Sequence, residues 1–112
     1  RRGLSMKITE EQVEKNLEFL TSTDQREAEL EVAMLQMVKE EKHLINKMKV
    51  ERFGNHKSNT EKETQAYASD DYQEYVKKLI KVTLDYKTLR NQRDTAESYN
   101  SMFQSMIKRG AI

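Results

Sequence analysis

The chain contains no proline, and between Asp24 and Arg109 its only glycine is Gly54. Proline removes a backbone donor and clashes with the preceding turn; glycine costs about 1 kcal/mol relative to alanine in a helix interior. With neither present, little stops helix on each side of Gly54. The chain therefore reads as all-α: a long antiparallel, coiled-coil-like helical hairpin plus a short N-terminal helix. The helices are expected at about 10–20, 24–53 and 69–109, with a polar turn at 54–68.

Arg1–Ser5 read as a cloning remnant, because Met6 followed by Lys7-Ile8-Thr9 looks like a natural start. Residues 6–112 then form a single helical domain. Thr9 with Gln12 has the spacing of a capping box, and Ile8 can staple onto Val13. Val13, Asn16, Leu17 and Leu20 line one face of the first helix. Thr21-Ser22-Thr23-Asp24 is expected to break it, and Ser22 with Gln25, or Asp24 with Glu27, can restart the next.

Leu30, Met34, Met37, Glu41, Leu44 and Met48 recur at spacings of four and three, a heptad seam with one charged intruder. Val38 and Ile45 widen the stripe. Gly54 is placed to take the left-handed cap conformation at the end. Thr60 with Glu63 can begin a short helical segment. Ser69-Asp70-Asp71 puts capping oxygens and negative charge where the last helix begins, which its dipole favours. That helix carries one seam set at Tyr72, Leu79, Tyr86, Arg93, Asn100 and Ile107. The other is Tyr75, Val82, Leu89, Ala96 and Phe103. The expected core and oligomer seam is Leu30, Met34, Met37, Leu44 and Met48 against Leu79, Val82, Tyr86, Leu89 and Phe103. The far end of the last helix, Tyr99–Ile107, needs a cover from the first helix or from another subunit. Gly110 after Lys108-Arg109 ends it.

Leu, Ile, Val and Phe make up only about a fifth of the chain, while 35% is charged. So lean a core is marginal for an isolated chain of this length, which points to self-association as a homo-oligomer. The absence of cysteine excludes disulfides and thiolate metal sites. No apolar run approaches the roughly 20 residues that span a bilayer. A cytoplasmic protein with no membrane contact is expected.

Charge is segregated although the net is only +1. Glu10–Glu41 holds ten acids and three bases, whereas Lys42–Lys62 holds six bases and two acids. A bend near Asn59 brings Lys77, Lys78 and Lys81 to the same basic end, and sets Glu41 near Lys81 and Arg93 near Glu27, Glu29 and Glu31. Clustered lysine and arginine neutralise phosphates, and nearby rings stack on bases. The candidate nucleic-acid contacts are Lys47, Lys49, Arg52, Lys57 and Lys62, with Phe53 and Tyr67 for stacking. The seam tyrosines and methionines read as core. Arg93 and Asn100 read as polar seam residues that fix register, or as marks of a change of partner. His43 and His56 lie on different elements, and no metal-ligand spacing, phosphate loop or nucleophile elbow is present. The expected protein is not an enzyme, with no metal and no cofactor.

One pattern reaches further. A basic helix end, Lys47-Met48-Lys49-Val50-Glu51-Arg52-Phe53-Gly54, is followed by a polar turn and by Glu61–Tyr67. Then Ser69-x-x-Tyr72 opens a long helix bearing Tyr86 and Leu89. Over Glu40–Met106, about 60% of the chain, this resembles the UvsY-type recombination mediators of tailed phages and the small helical proteins of phage recombination regions. The resemblance implies a homo-oligomer in the cytoplasm of an infected or lysogenic bacterial host. It implies binding of single-stranded DNA, loosening of the single-strand-binding protein, and help in loading a RecA-like recombinase. The family's basic contact stretch falls on Lys47, Lys49 and Arg52. The chain is shorter at the C-terminus, where that family assembles its ring. The alternative is a helical scaffold or adaptor that acts through protein contacts at its methionine- and tyrosine-bearing faces.

Overall fold

The computed structural model describes residues 8–52, 54 and 58–110, and in them the chain is all-α. Helix α1 spans Glu10–Glu51, α2 spans Asn59–Ala68 and α3 spans Asp70–Lys108. Within each unit a stretch of α1 packs antiparallel to a stretch of α3. The chain packs as two compact units, one joining the residues up to Ala28 with those from Lys87 onward, the other comprising Glu29–Tyr86.

The expected break at Thr21–Asp24 is absent, and α1 runs through it. Ser22 and Thr23 turn their hydroxyls back on the Phe19 carbonyl, at 3.1 and 2.6 Å. That bond satisfies a hydroxyl inside a helix without opening the backbone. Arg93 of α3 then grips the same turn, donating to the Leu20 carbonyl at 2.6 Å and to Thr23 Oγ1 at 2.9 Å. Tertiary contact here overrides four residues of poor helix propensity. The N-terminal helix is thus the first part of α1.

In the first unit, Thr9 caps α1 as expected, its Oγ1 accepting from the Gln12 amide at 3.1 Å. Gln12 does not reach back; its side chain donates to Asn16 Oδ1 at 2.8 Å. The Thr9 amide donates instead to Tyr99 Oη at 2.9 Å. Asn16 Nδ2 donates to Asn100 Oδ1 at 3.1 Å, and Asn100 is buried. The start of α1 therefore packs on α3 at Tyr99 and Asn100 within the same chain, with an amide pair fixing the register, while Met102 and Ile107 remain exposed. Arg93, 8% exposed, completes the layer with ion pairs to Asp24 and Glu27 at 3.2 and 3.4 Å.

The second unit is centred on Ile45, Met48 and Ala66, with Leu44 and Tyr72 against them. Three seam tyrosines cross from α3 to α1. Tyr72 donates to Glu41 Oε2 at 2.9 Å, Tyr86 to Glu31 Oε2 at 2.8 Å, and Tyr75 to the Met37 carbonyl. These pairs run antiparallel, but are displaced by roughly one and a half to three turns from the register that a bend at Asn59 requires. Glu41 consequently meets Tyr72 rather than Lys81. In the first unit Arg93 meets Glu27, as expected, together with Asp24 in place of Glu29 and Glu31. All ten expected seam residues are buried or half-buried. Val38 is not part of the core; it is 57% exposed.

Ser69 joins α2 to α3. Its Oγ donates to the Ala66 carbonyl at 2.6 Å and accepts from the Tyr72 amide at 3.2 Å, serving the end of one helix and the start of the next. α2 itself starts slightly earlier than Thr60 with Glu63 implied, capped by Ser58. Gly54 does not take the left-handed conformation; Gly110 does, at φ +72°. Gly54 is required by space, since a Cβ there would sit 2.8 Å from the Val50 carbonyl oxygen.

Candidate nucleic-acid interface

The basic stretch expected to meet phosphates lies within the second unit, and folding brings acids to part of it. Lys49 Nζ lies 3.3 Å from Glu63 of α2, with the lysine side chain only 15% exposed. Arg52 pairs with Asp71 in the first turn of α3. Lys49 is thus a structural tie between α1 and α2, while the Arg52 pair, exposed on both sides, is of the kind worth under about 1 kcal/mol and readily exchanged. Lys47 is exposed and Lys62 half-buried, and among the described residues no acid lies within ion-pair distance of either. Lys57 and Phe53, two further candidates, and His56 lie outside the described residues.

Tyr67 is 45% exposed, and its ring meets Tyr72 edge-on with centroids 4.9 Å apart. An exposed ring held from behind by another suits stacking, because it gives up little freedom when a base lands on it. A second ring is not evident from the heptad pattern. Tyr75, assigned to the seam, also lines a surface cleft with Lys47, His43, Leu44 and Glu40. Its hydroxyl is anchored on Met37 while part of the ring borders that cleft. The i to i+3 spacing of Tyr72 and Tyr75 places both on one side of α3, so only the packing distinguishes their roles.

Burial is the main cause that raises the Tyr72 hydroxyl to about 12, followed by its hydrogen bond to Glu41 and the Glu41 charge. Tyr75 is raised as well, by burial first and then by Glu40 and Glu41. Both stay neutral donors at physiological pH. Because the folded value of Tyr72 exceeds the ordinary value of 10, its contribution to stability is complete below pH 10 and is lost as pH rises toward 12. An ultraviolet titration of tyrosinate is expected to show late-ionising tyrosine in the folded chain. Glu41→Gln should move the Tyr72 ionisation down, though not to the ordinary value, since burial remains.

The first unit has a cleft of different character. Its lining mixes Phe19, Ala96 and Tyr99 with amides and hydroxyls including Gln12, Gln92 and Thr95. Those groups exchange hydrogen bonds; they are poorly suited to proton transfer near neutrality. Among the described residues no group of three or more histidines and carboxylates is placed to hold a metal ion. No described helix is long and apolar enough to cross a membrane. No protein-family model, curated protein or solved structure matches this chain.

Proposed function

We propose that this protein is a non-catalytic, homo-oligomeric mediator of phage or prophage DNA recombination that binds single-stranded DNA through the second unit. The observation that carries the reading is the meeting of exposed Lys47 with the Tyr75 ring in one surface cleft. A cation and a ring lining one cleft can hold a phosphate while a base stacks. Lys62, Arg52 and Tyr67 extend it, with Arg52 exchanging its exposed carboxylate for phosphate. The sequence resemblance supplies the biological setting: assistance to a RecA-like recombinase in replacing a single-strand-binding protein.

The test is a fluorescence-anisotropy titration with a labelled single strand. Affinity is expected to be micromolar or tighter at about 50 mM salt, and to fall by at least an order of magnitude by about 200 mM, as counterion release requires. An absence of binding at the lower salt rejects the reading.

A second reading has its own observation. Ile80 and Leu84, one turn apart on α3, are 53% and 59% exposed. Apolar side chains at i and i+4 form a ready docking stripe for a partner helix. On this reading the protein is a helical adaptor, and Ile80→Asp with Leu84→Asp abolishes partner capture while leaving strand binding intact.

A further inference from the structure

The cleft of the first unit has no part in the strand site of the second. Its volume, about 400 Å³, is within the range of small-molecule sites. None of its eight described lining residues is charged, in a chain where 35% of residues are. Spacing accounts for this. Gln12, Asn16 and Phe19 of α1, and Gln92, Thr95 and Tyr99 of α3, recur at intervals of three and four, so each set shares one face of its helix. A phosphate or carboxylate finds no cation in the lining, and a cation finds no carboxylate. The cleft selects a neutral ligand.

Part of the lining is fixed before any ligand arrives. Tyr99 Oη accepts from the Thr9 amide at 2.9 Å, and the Asn16 side chain is tied to Asn100 at 3.1 Å and to Gln12 at 2.8 Å. A ring held at its hydroxyl loses little freedom when a planar group stacks on it. Gln92 differs. It is exposed, and its side-chain amide makes no hydrogen bond to another described residue. It offers a donor and an acceptor side by side, the pair that matches N6 and N7 of adenine. A saccharide has hydroxyls but lacks the flat π-face that two rings in the lining suit.

We infer that this cleft binds an unpaired adenine base, as a free nucleoside or within a strand, with Phe19 and Tyr99 against the base and Gln92 reading its N6–N7 edge. The inference does not rest on strand binding by the second unit. It uses no residue of that unit, and adenosine carries no phosphate for a lysine to hold.

The test is a titration of the full chain with adenosine, read by NMR at the Gln92 side-chain amide and the rings of Phe19 and Tyr99. All three resonances are expected to move together and to saturate at millimolar nucleoside. Inosine, in which an acceptor replaces the N6 donor, is expected to bind about fivefold or more weakly. Ribose alone should leave the three unmoved. Gln92→Leu is expected to weaken adenosine binding by a similar factor with helix content unchanged, because Gln92 is exposed and ties nothing together. Competition separates the sources of the base. Displacement of adenosine by an oligo-dA strand but not by an abasic strand of equal length assigns the base to a strand; no displacement assigns a free nucleoside, and either result upholds the site. Resonances indifferent to adenosine, an equal response to ribose, equal binding of inosine, or unaltered affinity in Gln92→Leu overturns the proposal, whatever the salt titration shows for strand binding.

Discussion

Arg93→Met is expected to cost about 3 kcal/mol of folding free energy, the largest loss from any single polar substitution in the first unit. The guanidinium is nearly buried and serves four partners at once: the Leu20 carbonyl, Thr23, Asp24 and Glu27. Methionine keeps the apolar length of the side chain, so packing is largely preserved and the loss reports on the polar contacts. The Leu20 carbonyl retains its intrahelical bond and forfeits only a second lone-pair interaction. Glu27, 28% exposed at its side chain, is left with a carboxylate that no longer faces a cation. Arg93→Lys should recover only part of the loss, because one ammonium cannot span four acceptors as a planar fork does. Denaturant unfolding measures the total, and hydrogen exchange over 13–28 locates it. Unchanged protection around Thr21–Asp24 would mean that this turn holds without Arg93.

That turn also shows what could and could not be read from the chain. The seams were legible because heptad spacing reports a face directly: Leu30, Met48, Tyr86 and Ala96 are buried where the pattern put them. Thr9 and Ser69 were legible as caps because their oxygens act on residues three positions away. The continuity of α1 was not, since it depends on a residue 69 to 73 positions distant in sequence. Register escaped for a related reason. Sliding one helix along the other by a heptad returns apolar to apolar, so the tyrosine hydroxyls, finding Glu31, Met37 and Glu41, settle what the periodicity leaves degenerate. The buried corner of Ala66 and Ser69 hid within a polar segment where two small side chains carry little hydrophobic signal. In the candidate site, charge and position single out Lys47 and Tyr67, whereas the seam spacing of Tyr75 gives no sign of the cleft that it also lines.

Reversing charge at the proposed DNA interface, with Lys47→Glu and Lys62→Glu, is expected to weaken single-strand binding by at least tenfold. The slope of log affinity against log salt should fall by roughly 0.7 for each phosphate that is no longer neutralised. The choice of residues follows from the packing. Lys49 lies closer to the centre of the basic stretch, but its ammonium ties α1 to Glu63 of α2, so Lys49→Glu sets two carboxylates together and loosens the fold as well as the site. A loss of binding in that variant would have two causes. Lys47 is exposed and Lys62 half-buried, and neither has an acidic partner among the described residues, so their reversal leaves the helices intact. Light scattering on the double variant should return the mass of the unaltered protein. Tyr75→Leu provides the complementary arm: it removes the stacking face while keeping the charge, and should lower affinity by about 1–3 kcal/mol with an unchanged salt slope. If charge reversal leaves strand binding as it was, the cleft does not hold the strand, and the exposed stripe of Ile80 and Leu84 becomes the surface through which this protein acts.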